Sequence, residues 1–186
     1  KQTQRIASIH QQRTETHTNE SQTGTLISRY GANALVADTN WQLYTCHFRQ
    51  NLPDPVPGDK LIWQQQTDHT GVITAILPRD TTLNRVTYQG ACKPIAANIT
   101  QMIITIAAVP TPSSELVDRY IIAAENSGFK VLILVNKCDL PEIKNLSPLI
   151  NIYQNLGYPV VYVNTIEKFA MADLHQHLQF ETNVFV

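Results

Sequence analysis

The stretch VLILVNKCDL, residues 131–140, runs five apolar residues directly into the polar tetrad Asn136-Lys137-Cys138-Asp139. An apolar run of that length with β-branched members reads as a strand buried on both faces. Working outward, QMIITIAAV (101–109) is a second such run. Between the two lies SSELVDRYIIAAENSG (113–128), with helical spacing, a Ser-x-Glu start and a Gly stop. NLSPLINIYQNLG, PVVYVN, a helical FAMADLHQHL and TNVFV follow. Buried strands alternating with helices specify a parallel α/β sheet over residues 101–186. Ligands of such sheets bind beyond the carboxyl ends of the strands, which is where the tetrad falls.

Upstream the period changes. Residues 24–78 hold five short β-type runs, TGTLISRY, NALVAD, WQLYTCHF, DKLIWQQ and TGVITAIL, separated by the turn formers YGAN, DTN, NLPDPVPGD and QTDHTG. Five such strands suggest a small barrel of the OB-fold type, whose exposed face binds oligonucleotides, although an SH3-like barrel or a meander uses the same number. Residues 79–100, with the stretch PRDTTLNRVTYQGACKP (78–94), read as a linker. Residues 1–23 are rich in Gln, Thr, His, Ser and Asn, with too few apolar anchors to offset the entropy of ordering; they read as a loose tail in which Gln4–Arg13 forms a helix on a partner.

The 186 residues, 43% hydrophobic, can bury a real core. No run has the apolar length of a membrane span, and the first residues lack the apolar middle of a secretory signal, so no membrane association and a cytoplasmic address are expected. Three cysteines, Cys46, Cys92 and Cys138, form no CxxC pair and indicate neither a disulfide framework nor a thiolate metal site. Residues 1–93 carry nine Lys/Arg against seven Asp/Glu, and residues 94–186 five against eight. The basic residues of the front half, Arg5, Arg13, Arg29, Arg49, Arg79, Arg85 and Lys93, are candidates for phosphate contacts, though a solvated surface gives the same count.

The tetrad has a specific chemistry. Guanine presents a ring N–H and an exocyclic amine side by side, and an ionised carboxylate can accept from both. Asp139 suits that role. Adenine lacks the donor pair and would leave the carboxylate unsatisfied, at a cost on the order of 1–3 kcal/mol. Lys137 can lay its methylene stem across the base with its ammonium near solvent. Asn136 can either brace neighbouring loops or read the guanine N7 and O6 edge.

N-K-x-D after a buried strand resembles the guanine-specificity motif of GTPases, and its surroundings resemble the circularly permuted ribosome small-subunit-dependent GTPase A family. The blocks that carry the resemblance are GTLISRYGANALV (24–36), YTCHFRQNL (44–52), PGDKLIW (57–63), LPRDTTLNR (77–85), KPIAANITQMIIT (93–105), DRYIIAAENSG (118–128) and LVNKCDL (134–140). What the resemblance implies is an OB-fold barrel followed by part of a permuted P-loop-type GTPase domain, in a GTP hydrolase of late 30S subunit maturation. It implies GTP or GDP as ligand, 16S rRNA contacted by the barrel and by Arg5, Arg13, Arg29 and Arg49, stimulation by the 30S subunit, and a monomer. The family places its guanine motifs before its phosphate loop, GxxxxGK[ST], and these residues contain no Gly-Lys pair. NVFV then corresponds to the strand feeding that loop. The loop, its magnesium and the family's zinc domain are expected only beyond Val186, and these residues alone are expected to be catalytically inactive.

The resemblance also predicts a second guanine contact, where PVVYVN runs into Asn164-Thr165 in place of the usual Ser-Ala-like pair; the contact is made by backbone, so the substitution need not abolish it. Asp118-Arg119-Tyr120 is assigned to capping and packing. Asp68-His69-Thr70-Gly71 spells DxxG but reads as a hairpin turn. His175 and His177, two apart on a helix, point in different directions and make a poor metal pair. The competing interpretation is an RNA-binding barrel with a non-functional GTPase remnant, indifferent to guanine nucleotides.

Overall fold

A computed structural model describes residues 20–88 and 90–186. Arg5, Arg13 and the helix expected around Gln4–Arg13 lie outside the described residues. The chain divides into two compact units, residues 1–79 and 80–186.

In the first unit the five expected strands are β1 (Ser21–Tyr30), β2 (Asn33–Ala37), β3 (Leu43–Phe48), β4 (Lys60–Thr67) and β5 (Thr70–Ile76). They close into a barrel in the order β1-β2-β3-β5-β4, with β3 parallel to β5 and every other pair antiparallel. This is the OB-like arrangement; the meander is excluded by the β3–β5 pairing. Pairing begins at Ser21, so residues 21–23 of the presumed tail are strand: Ser21, Gln22 and Thr23 pair with Gln64, Trp63 and Ile62. Their polar side chains hid them, because a ladder is made by backbone groups.

Alternation places Leu26, Ala34, Val36, Tyr44, Cys46, Leu61, Trp63 and Ile73 inside the barrel. Trp63 is the largest of them and is fully buried, its ring 4.6 Å from that of Tyr44. Gly24 and Gly71 make room for it. A Cβ on Gly71 would stand 2.6 Å from Trp63 Cε3, and one on Gly24 would stand 2.9 Å from Trp63 Nε1. Burial also pushes the Cys46 thiol up to about 11.

Asp59, also fully buried, receives the Arg79 guanidinium at 2.7 and 2.8 Å and the Val56 amide at 2.8 Å. A buried carboxylate needs such a partner. The hydrogen bond to Asp59 in turn raises the Arg79 pKa above its ordinary value. Asp68-His69 is the two-residue turn between β4 and β5, with Thr67 and Thr70 hydroxyls 2.6 Å apart across it.

The second unit opens with β6 (Thr82–Val86) and β7 (Cys92–Ala97), an antiparallel hairpin inside the stretch expected to be a linker. Then come β8 (Gln101–Ala107), α1 (Ser114–Ser127), β9 (Lys130–Asn136), a 3-10 turn (Pro141–Leu146), α2 (Ser147–Asn155), β10 (Val160–Tyr162), α3 (Met171–Leu178) and β11 (Asn183–Phe185). The sheet order is β10-β9-β8-β11, all parallel.

Helix α1 has the predicted ends: the Ser113 hydroxyl accepts from the Leu116 amide, and Gly128 closes it at φ 74 with its amide on the Ala124 and Glu125 carbonyls. One sheet face, with Met102, Ile104, Ile106, Val131, Ile133 and Val135, packs on α1 and α2. The other, with Ile103, Leu132, Leu134, Val161 and Val163, packs on α3. Asp118 accepts from the Tyr153 hydroxyl at 2.9 Å and links α1 to α2, a packing role. Burial, then that hydrogen bond, push the Tyr153 phenol up to about 12. At the amino ends of the strands Lys130 and Thr100 hold the Glu181 carboxylate, and both keep its pKa below the usual range.

Candidate functional site

β9 ends at Asn136, and the chain turns sharply because Lys137 adopts φ 56, the left-handed region that a long side chain seldom occupies. Asn136 stabilises the turn. Its Oδ1 accepts the Lys137 amide at 2.8 Å and the Thr165 hydroxyl at 3.5 Å, tying the loop after β9 to the loop after β10. Of the two roles open to Asn136, bracing is the one its oxygen performs here.

Lys137 Nζ donates to the Val109 carbonyl at 2.9 Å. The lysine stem therefore spans from the end of β9 to the segment following β8. The Cys138 amide donates to the Val163 carbonyl at 3.2 Å, and the Leu140 amide returns to the Lys137 carbonyl at 3.2 Å. Three loops are fastened together around the tetrad.

Asp139 stands apart from this network. It is exposed, and its carboxylate takes no hydrogen bond or ion pair from the described residues. Within a loop that is otherwise tightly bonded, it is the open acceptor. Cys138 is half-buried and free, and its backbone amide is tied to Val163.

Asn164 is buried, and its Oδ1 accepts the amides of Ile166 and Glu167 at 3.0 and 3.2 Å. It shapes the loop from 164 to 169, whose ends are joined by the Asn164–Phe169 backbone pairing. The structure thus brings Asn136, Lys137, Cys138 and Thr165 into one bonded cluster, with Asp139 beside it and Asn164 beneath it. The carbonyls of Val109 and Val163 were missed from the sequence; backbone acceptors leave no trace in residue identity.

A cleft of about 400 Å³ adjoins this cluster through Asn136, lined also by Ser113, Leu116, Tyr120 and Val186 at the ends of β8 and β11 and the start of α1. Among the described residues no lysine or arginine lines it. Among the described residues no group of three or more His, Cys, Asp and Glu can hold a metal ion, and the His177 ring nitrogen lies 3.0 Å from the Asp173 carbonyl.

Of the basic candidates on the first unit, Arg29 pairs with Asp54 and lies 5.5 Å from the Phe48 ring centre. Arg79 is committed to Asp59. Arg49 is exposed and makes no ion pair with the described residues, next to a polar patch that includes Gln64, Gln65 and Thr74.

With this geometry in place, likeness to known proteins is informative. Residues 76–186 match the family described as RsgA GTPase. The chain belongs to that family. The "Small ribosomal subunit biogenesis GTPase RsgA" of Pseudomonas aeruginosa is 40% identical over 168 residues, covering 89% of this chain and 50% of the relative. The protein of the same name from Pseudomonas fluorescens is 40% identical over 172 residues, with the same coverage. The chain spans about half the length of these curated relatives.

Among solved structures, YjeQ from Thermotoga maritima matches with a TM-score of 0.74 at 22% identity, over 90% of this chain and 60% of that one. YloQ, described as a circularly permuted GTPase, matches with a TM-score of 0.70 at 24% identity, over 92% and 62%. These likenesses concern the fold, and they agree with an OB-like barrel followed by part of a permuted GTPase domain built on a parallel sheet. In this RsgA-family chain the order barrel, tetrad, β11 is the order that such a permutation requires.

Proposed function

We propose that this RsgA-family chain is the RNA-contacting and guanine-recognising part of a GTPase acting in small ribosomal subunit biogenesis, a cytoplasmic monomer that binds GTP or GDP. Asp139 receives the guanine N1–H and amine, Lys137 flanks the base, and Asn136 with Thr165 holds the loops in register. The Asn164-Thr165 backbone offers the amide for the guanine oxygen. The barrel binds 16S rRNA, with Arg49 as its available cation and Arg5 and Arg13 of the first residues adding charge. Arg29 is the weaker contributor, since Asp54 already neutralises it.

The observation that carries this proposal is the contrast inside the tetrad: every neighbour is fastened, and the one group with the right chemistry for guanine is left open. Magnesium would serve the phosphates through a phosphate loop that these residues do not contain.

The test is binding of GDP, ADP and xanthosine diphosphate to the 186-residue chain, read from amide NMR shifts of residues 136–139, which detect weak complexes. GDP should be preferred over ADP by about tenfold or more. Asp139→Asn presents a donor as well as an acceptor. Xanthine carries a carbonyl where guanine carries its amine, so the variant should lose the GDP preference and gain one for xanthosine diphosphate. Equal binding of GDP and ADP by the native chain would refute the assignment and leave the RNA-binding barrel as the function.

A further inference from the structure

The barrel contains both tryptophans of the chain, in opposite situations. Trp63 fills the core, whereas Trp41, in the turn between β2 and β3, is 74% exposed. Leu43, next but one along, is 52% exposed. Leaving the largest side chain in water forgoes the main reason for a fold to carry it.

The turn is nonetheless tightly built. Asp38 Oδ1 accepts the amides of Asn40 and Gln42, each at 2.8 Å. The Asp38 amide donates to the Gln42 carbonyl at 3.0 Å, and the Trp41 amide to the Asp38 carbonyl at 3.1 Å. These four bonds hold Trp41 at φ 63, a conformation that bulky residues rarely adopt. Strain sustained by surrounding bonds in order to present a ring to solvent points to a contact outside the chain.

The position indicates what that contact is. Trp41 follows the Thr39–Asn40 turn of the β2–β3 hairpin, and the Thr45 amide of β3 donates to the His69 carbonyl at 2.9 Å, so the β4–β5 turn lies against the same end of β3. In barrels of this type, strands 2 and 3 together with the β1–β2 and β4–β5 loops form the oligonucleotide face. We propose that Trp41 is a stacking platform for an unpaired base of single-stranded RNA, set at the edge of that face. The proposal rests on the assignment of RNA binding to the barrel and adds to it a ligand class, unpaired rather than duplex RNA, and the residue that selects it. Stacking on an indole tolerates any base, because each has a π-face. A turn already fixed by Asp38 loses little conformational freedom when the base docks.

The experiment titrates the full 186-residue chain with a fluorescein-labelled oligouridylate of about 12 nucleotides, a length suited to one barrel, and in parallel with a blunt RNA duplex. Anisotropy reads binding, and tryptophan emission reads the ring. The single strand should quench the exposed Trp41 component and leave the buried Trp63 emission in place.

Trp41→Asn keeps a residue suited to positive φ and removes the ring; it should weaken single-strand binding by about fivefold to a hundredfold and leave duplex binding unchanged. Trp41→Tyr should restore most of the loss, and unchanged Trp63 emission in both variants verifies the fold. If the oligouridylate binds by anisotropy without quenching, and Trp41→Asn binds as well as the native chain, the platform is refuted while RNA binding by the barrel stands. If neither RNA binds the native chain, both assignments fall.

Discussion

Asn136 and Asp139 are three residues apart and chemically opposite: the oxygen of the first is filled by Lys137 and Thr165, and the carboxylate of the second has no partner among the described residues. Their substitution should therefore fail in different ways. Asn136→Ala leaves the Lys137 amide without its acceptor and unties the loop after β10, which is a loss of preorganisation worth about 1–2 kcal/mol. Affinity for GDP and for ADP should fall together by about five- to thirtyfold, with the ratio between them little changed. Removing the Asp139 carboxylate should collapse the ratio itself. Parallel competition titrations of the two variants separate these outcomes, and a change of ratio in Asn136→Ala would mean that this residue reads the base directly. The sequence could name both residues because their side-chain chemistry is specific. It could not assign the Asn136 role, which depends on where Thr165 comes to rest.

At the scale of elements, the barrel depends on two strands conceding space to a third. Gly71 in β5 lies against Trp63 in β4, and a Cβ there would also approach the Gln64 carbonyl at 2.8 Å. Backbone and a fully buried ring cannot both yield, so Gly71→Ala should destabilise the barrel by about 1–3 kcal/mol. Because Trp63 reports from the core, denaturant unfolding followed by its emission measures the loss. An unchanged midpoint would show that the β4–β5 pairing can shift to accept the methyl group. Elements of this kind were legible where burial imposed a period: β8, β9 and α1 follow directly from apolar runs and from Ser113 and Gly128. The β6–β7 hairpin was not, since Asn84 and Arg85 are exposed, Pro94 interrupts β7, and Arg85 pairs with Lys93 across the ladder. Such a hairpin carries little apolar alternation to be read.

For the whole molecule, the order along the chain is barrel, tetrad, then β11. The loops proposed to read guanine follow β9 and β10, which precede β11, and the cleft beside them is lined, among the described residues, by apolar and neutral polar groups without a cation. The parallel α/β fold and the place of the Asn136–Asp139 tetrad at a strand end were legible because a buried apolar run leads straight into it; the surrounding backbone acceptors were not, since any residue supplies a carbonyl. Phosphoryl transfer depends on positioning three phosphates and neutralising the charge that develops on them, chiefly by a lysine, backbone amides and magnesium. None of the 186 residues forms a Gly-Lys pair, and the cleft offers no substitute. The purified chain should therefore release no phosphate from GTP above the rate of solution hydrolysis, with or without magnesium, even where GDP binding is measurable. The check is a phosphate-release assay on the native chain beside Asp139→Asn. Magnesium-dependent turnover that disappears in the variant would require a phosphate cradle among these residues and would overturn the prediction; turnover equal in both would mark a contaminating hydrolase, because a genuine site must sense the loss of its proposed guanine contact.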